Sequence, residues 1–299
     1  MLEELIINLC PTGMVPTRAD TPHVPLTPDE VAADVRRCAE LGISIVHVHP
    51  RDEAGQPTQS VARAREFLEA IRAAVPDVIL CASTSGRQQP DLETRAAVLD
   101  ISGPGRPEMA SLTLGSMNFP KQASINAPET INGLAQRMAE RSIVPEWEIF
   151  DLGMIDYAHY LRDHGILLGP VYANVLLGSL GTLSATPEHL GLAVNRLPSG
   201  AIWAGAGIGR FQQQVNNWAI AMGGHVRVGL EDNIWFDKNR TQLATNPMLV
   251  ERVVAIARAQ GRDPASPAQV RQMLAIPAPP VGPDGSASRT RGPDRHGPG

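Results

Sequence analysis

TPDEVAADVRRCAELGISIVHVH, residues Thr27–His49, holds one complete unit of the pattern that the rest of the chain repeats. Thr27 is placed to cap a helix, Pro28 takes its first position, and Asp29 and Glu30 lie in the first turn, where the helix dipole favours acids. The period then changes, and Ser44–His49 reads as a short apolar strand. Side chains alternate along a strand, so His47 and His49 share one face and Val46 and Val48 the other.

Further strand-like runs fall at Leu5–Leu9, Val78–Ala82, Met109–Leu114, Glu146–Asp151, Val171–Leu176, Ala201–Ala204 and Val226–Glu231. Helical runs lie between them, at Ala62–Ala74, Asp91–Leu99, Glu129–Arg141, Met154–Asp163, Gln212–Met222 and Pro247–Gln260. Thr186-Pro187-Glu188 repeats the helix-start signal before Leu190. Eight alternating units with no break in composition predict a single α/β domain, a (β/α)8 TIM barrel over residues 1–276. An open doubly wound sheet usually carries fewer strands. The Pro/Gly-rich stretch 277–299 has no apolar periodicity and reads as a flexible tail.

Bulk properties narrow the function. Hydrophobic content of 43% over 299 residues suits a large globular core, and a net charge of −5 gives no electrostatic reason to expect nucleic acid or an anionic membrane as partner. No apolar run approaches the roughly 20 residues of a membrane span. Cys10, Cys38 and Cys81 are scattered, odd in number and set in apolar contexts, which predicts buried thiols in a reducing, cytoplasmic setting.

Two imidazoles about 6–7 Å apart on one strand face can share a metal ion, and a carboxylate from elsewhere completes a three-ligand site with an open position. Closure of a barrel puts its first strand between the second and the eighth. That brings His47 and His49 beside Glu231, at the C-terminal rim where active sites of this fold sit. Asp232 lies just past the strand end and Arg227 on its inner face. The bland alternative, histidines bonded into the core, fits a lone residue better than a pair at this spacing. His23, His189 and His225 have no such context and read as structural or exposed; His159 and His164 read as surface residues.

Two loops have double readings. Ser83-Thr84-Ser85-Gly86-Arg87 follows the third strand and offers hydroxyls, backbone N–H groups and an arginine to a carboxylate, or is an ordinary polar turn. Gly205-Ala206-Gly207-Ile208-Gly209-Arg210 follows the seventh strand before a helix. It suits a phosphate, including that of a CoA tail, through Gly207, Gly209 and Arg210, or is merely a tight turn. Its spacing does not match a dinucleotide fingerprint.

Several stretches taken together resemble the β-keto acid cleavage enzymes, a family of metal-dependent barrels. They are Pro25-Leu-Thr-Pro-Asp-Glu30, Ile45-Val-His-Val-His-Pro-Arg-Asp52, Ser83-Thr-Ser-Gly86, Met109–Phe119, Glu146–Gly153 and Val228-Gly-Leu-Glu-Asp-Asn233. The resemblance runs in order over about residues 5–275. It implies reaction of a β-keto acid with acetyl-CoA to give acetoacetate and a new acyl-CoA. It also implies Zn2+ on His47, His49 and Glu231, an Asp232–Arg227 base dyad, and substrate carboxylate binding by Ser83 with its neighbours Ser85 and Gly86. Relatives imply a homo-oligomer, with a tetramer as one form. Met14 departs from the relative acting on an amino-bearing keto acid, which has an acid there, so an uncharged tail is expected. Glu146 and Glu148, on one face of the fifth strand, are further candidates to meet a polar substrate.

Two other classes compete. A metal-dependent hydrolase of the amidohydrolase type also uses His-x-His on a barrel strand, but on the first strand and with further histidines on the fifth and sixth. A metal-binding barrel without turnover would have no need for Asp232 and its arginine.

Overall fold

The computed structural model describes residues 4–277 apart from Lys121, so the predicted tail lies outside the described residues except for Pro277. Eight parallel strands close into a barrel: β1 Ile7–Leu9, β2 Ile45–Val48, β3 Ile79–Ala82, β4 Met109–Thr113, β5 Val144–Ile149, β6 Tyr172–Leu177, β7 Ile202–Gly207 and β8 His225–Val228. They follow one another around the barrel in chain order. The closure pairs Asn8 of β1 with Arg227 of β8 on one side and with Ile45 of β2 on the other. This is the (β/α)8 arrangement expected from the sequence.

The intervening helices are α1 Pro28–Leu41, α2 Val61–Ala74, α3 Leu92–Ala96, α4 Pro128–Glu140, α5 Leu152–Asp163, α6 Pro187–Arg196, α7 Gln212–Ala221 and α8 Asn246–Ala259. Thr27 caps α1 in the expected way: its hydroxyl accepts from the Glu30 N–H and the Glu30 carboxylate accepts from the Thr27 N–H, a capping box. The run expected as one helix over Asp91–Leu99 is the short α3 continued by a 3-10 turn, Ala97–Asp100. A two-stranded ribbon, Met117–Asn118 against Ala123–Ser124, rises after β4 and has no counterpart in the sequence reading.

Strand alternation divides the apolar side chains into two cores. Leu5, Ile7, Leu9, Val46, Val48 and Leu80 face outward into the helix layer. Ile6, Ile45, Ile79, Cys81, Met109 and Tyr172 fill the lower barrel interior. A ninth helix, α9 Pro267–Met273, starts at a Ser266–Gln269 capping box and closes the barrel floor with Val270 and the following Leu274. Among the described residues these side chains fill the lower interior, and the large cleft opens toward the C-terminal rim.

His225, at the foot of β8, is buried, and its Nδ1 accepts the Ile6 N–H at 3.0 Å. Burial first, and the Arg262 charge second, push its pKa down to about 3. An unfolded histidine titrates near 6.5, so below that pH the unfolded chain takes up a proton that the folded chain refuses. Stability present above pH ~6.5 is therefore lost as pH falls toward 3. Between pH 7 and pH 5, urea unfolding is expected to lose about 2 kcal/mol more in the wild type than in His225→Asn, whose Oδ1 can accept the same N–H without titrating. Equal losses in the two proteins would contradict this.

Candidate active site

Closure carries out the convergence that the sequence implied. Nε2 of His47 lies 3.1 Å from Nε2 of His49, and the latter lies 3.3 Å from Glu231 Oε1. The edge of a tetrahedron with metal bonds of 2.0–2.1 Å is about 3.4 Å, so the three groups stand at ligand spacing. The other oxygen, Glu231 Oε2, is buried with no hydrogen-bond partner. A buried carboxylate oxygen without a donor is costly, and a cation relieves that cost. Burial pushes the His49 pKa down, against the pull of Glu231, which keeps a ring lone pair free. The residues fit a divalent cation.

Glu231 does not end the eighth strand, as the run Val226–Glu231 predicted, but sits in the turn after it. Strand β8 ends at Val228, and Gly229 follows with φ +154°. At that residue a Cβ would stand 2.1 Å from the Cys10 carbonyl oxygen, so only glycine allows the turn so close to β1. The Glu231 N–H then donates to Cys10 O at 3.1 Å and fixes the carboxylate over the barrel mouth. Gly13, at φ +64°, leaves the space that the Glu231 side chain occupies, since a Cβ there would come within 2.3 Å of its Cγ.

Behind the three groups stands Glu146. Its Oε2 meets His47 Nδ1 at 2.6 Å, and its Oε1 accepts from Asn8 Nδ2. Both His47 and Glu146 are fully buried. The expected role of Glu146 against substrate is therefore corrected: one layer below the rim, it cannot reach the cleft and instead orients His47, as carboxylates behind metal-binding histidines do. Burial alone would lower the His47 pKa, but the Glu146 and Glu231 charges outweigh it and raise it to about 9. A cation entering here displaces that proton. His47, Cys81 and Glu146 form the other group of metal-capable side chains among the described residues. Burial and the Glu146 charge push the Cys81 thiol up, so it stays protonated and makes a poor ligand.

Arg227 ties the remaining acids together. Its guanidinium donates to Asp232 from Nε at 3.0 Å, to Glu231 from Nη2 at 2.6 Å and to Glu148 from Nη1 at 3.3 Å. Thr113 Oγ1 also donates to Glu148, at 2.6 Å. Burial raises the Asp232 pKa, Arg227 opposes, and Glu231 adds to the rise; the net shift is upward. Glu231 is held well below the usual carboxylate range because Arg227 and the two histidines outweigh its burial.

These groups open on a cleft of about 690 Å³ that also exposes Met14, Ser83, Ser85, Arg87, Glu148, Gly209 and Arg210. Thr84 is turned away, its hydroxyl donating to the Ser111 carbonyl at 2.6 Å. Two expectations for the glycines need correction. Gly86 is packed against Arg95 and Gly207 against the Phe211 backbone, and neither lines the cleft. The Gly209 N–H is spent on the Asp232 carbonyl at 2.6 Å, so of the loop after β7 only the Arg210 side chain offers a charge to a phosphate.

Arg51, absent from the residues singled out in the sequence, is fully buried and donates to the carbonyls of Gly13, Pro16 and Gly55 at 2.6–3.0 Å. It clamps the loop that carries Met14. Its signal was its place directly after the histidine strand, in His49-Pro50-Arg51.

The closed (β/α)8 barrel thus carries at its rim two imidazoles and a carboxylate whose spacing suits a divalent cation. The histidine pair belongs to β2 and the residue after it, and β1, β5 and β6 carry no histidine, which separates the site from the amidohydrolase arrangement. A family profile described as beta-keto acid cleavage enzyme matches residues 4–276, and the chain belongs to that family. It is 40% identical over 278 residues to a 3-keto-5-aminohexanoate cleavage enzyme of Fusobacterium nucleatum, covering 92% of this chain and 99% of that one. It is 36% identical over 281 residues to a 3-oxoadipate:acetyl-CoA acetyltransferase of Cupriavidus necator, covering 93% and 97%. Among solved structures, ObcA in a ternary complex with a C4-CoA adduct and oxalate superposes with a TM-score of 0.78 at 20% identity. That match covers 87% of this chain and 68% of that one, and shows the shared barrel fold. The protein is thus an enzyme of the acyltransferase type that cleaves β-keto acids.

Proposed function

We propose that the protein joins a β-keto acid to acetyl-CoA and splits the adduct into acetoacetate and a new acyl-CoA, with Zn2+ held by His47, His49 and Glu231. The observation that carries this reading is the three-ligand cradle beside a buried Asp232–Arg227 pair, in a chain related to a 3-oxoadipate:acetyl-CoA acetyltransferase. Two imidazoles and a carboxylate are a donor set suited to zinc. When bound, the ion supplies Lewis acidity to the carboxylate and keto oxygens of the substrate.

The residues of the chain do the rest. Asp232, made more basic by burial, accepts a proton from C2 of the keto acid. Arg227 keeps Asp232 aimed and offsets the charge of Glu148 and Glu231 around it. The hydroxyls of Ser83 and Ser85 line the cleft and serve the substrate carboxylate. The C2 carbanion attacks the thioester carbonyl and CoA leaves as thiolate. That thiolate adds to the original keto carbon, the bond from this carbon to C2 breaks, and Asp232 returns the proton to C2. Arg210 and Arg240 edge the cleft and suit the phosphates of CoA.

The same proposal includes a reducing cytoplasmic setting, supported by three buried free cysteines, and the homo-oligomer that the family resemblance implies. No described helix is long and apolar enough to cross a membrane. The test is to incubate zinc-loaded protein with a panel of β-keto acids, with and without acetyl-CoA. Acetoacetate is expected only when both substrates are present. Product without acetyl-CoA would indicate hydrolysis, and binding without any product would indicate a non-catalytic barrel.

A further inference from the structure

One guanidinium in the cleft has no partner in the chemistry above. Arg87 follows β3 on the loop that presents Ser83 and Ser85, is half-buried, and lies with its guanidinium carbon 3.9 Å from the centre of the Phe119 ring. Its Nε is buried without a hydrogen-bond acceptor. Among the described residues no carboxylate pairs with it, because the cleft acids Glu148, Glu231 and Asp232 are all engaged by Arg227. Arg210 and Arg240 also line the cleft but are exposed, whereas Arg87 is half-buried.

The walls near it select against other charges. Met14 offers a thioether, and Met117, Phe119 and Phe150 are apolar, so an ammonium tail would meet Arg87 with no free acid to receive it. A purely apolar tail would take water from a guanidinium and give nothing back, which is costly for a partly buried charge. A carboxylate at the far end of the substrate would accept from the planar fork, which stacking on Phe119 holds in place.

We infer that the preferred substrate is a β-keto dicarboxylate whose distal carboxylate is bound by Arg87. This rests on the β-keto acid reading above and adds the class of substrate to it. The first carboxylate stays with the metal cradle and Ser83, so the two ends of the molecule are read by different groups.

The experiment compares 3-oxo acids of equal chain length that end in a carboxylate, a methyl or an ammonium group, using zinc-loaded wild type, Arg87→Met and Arg87→Lys. The dicarboxylate is expected to have the highest kcat/KM in the wild type. Arg87→Met is expected to lower that value about 100-fold and to leave the methyl-ended acid and the KM for acetyl-CoA within about threefold. Arg87→Lys is expected to fall between, since it keeps the charge without the fork. An equal loss for both acids would assign Arg87 to the shared carboxylate, and a rise confined to the KM for acetyl-CoA would assign it to CoA. Either result overturns the inference, as does wild-type preference for the methyl or ammonium end. Cleavage of the methyl-ended acid alone would sink the inference and keep the proposed function. If no acid turned over, calorimetric binding of the saturated dicarboxylate to wild type but not Arg87→Met would uphold the inference without it; equal binding or none would end it.

Discussion

Asp232→Asn is expected to keep its metal and lose turnover, with kcat falling about 10²–10⁴-fold, the range for removing a positioned general base. Asparagine has the size of aspartate, and its Oδ1 can still accept from the Arg227 Nε that reaches Asp232 at 3.0 Å. The ligand groups His47, His49 and Glu231 do not depend on the carboxylate charge for their placement, because Glu231 is fixed by its own N–H to Cys10 and by Arg227. What asparagine cannot do is take the C2 proton. Metal analysis beside steady-state kinetics checks this, and full activity, or loss of the metal along with activity, would remove Asp232 from the base role.

Arg227→Met is expected to be the most damaging single change to stability. It leaves the buried Asp232 and the part-buried Glu148 without their cation, and in metal-free protein Glu231 as well. Breaking a buried ion pair from one side costs about 3–5 kcal/mol, more than the net worth of the pair, because the orphaned charge stays out of water. Urea unfolding of metal-loaded protein should show a loss of that size. Adding Asp232→Asn to Arg227→Met should restore part of it, since one of the stranded charges is then gone. A loss below about 1 kcal/mol, or no recovery in the double variant, would mean that Arg227 does not compensate these acids.

The barrel was legible because its units repeat: each helix start, as at Thr27-Pro28 and Thr186-Pro187, is followed by a short apolar strand. The cradle of two imidazoles and a carboxylate was legible in part. The spacing of His47 and His49 fixed their common face, and closure then placed Glu231 beside them, although the Gly229 turn and not strand alternation aims its side chain. The position of Glu146 was misread. It shares a strand face with Glu148, but two residues along a strand is about one layer of barrel depth, enough to move a carboxylate from the cleft to the back of His47. Sequence spacing gives the face and not the depth. The isolation of Arg87 was equally out of reach, because it depends on Arg227 engaging three acids from β5 and the β8 turn. The floor helix α9 carried a readable start at Ser266-Pro267, yet its role in sealing the barrel is set by tertiary packing.

The proposed chemistry requires one cation shared by two imidazoles and a distant carboxylate. Anomalous diffraction at the zinc edge from crystals of the purified protein tests it most directly. A single peak within about 2.0–2.2 Å of His47 Nε2, His49 Nε2 and a Glu231 oxygen is expected, and it should vanish in His47→Ala. A peak elsewhere, or one that survives in His47→Ala at full height, would contradict it.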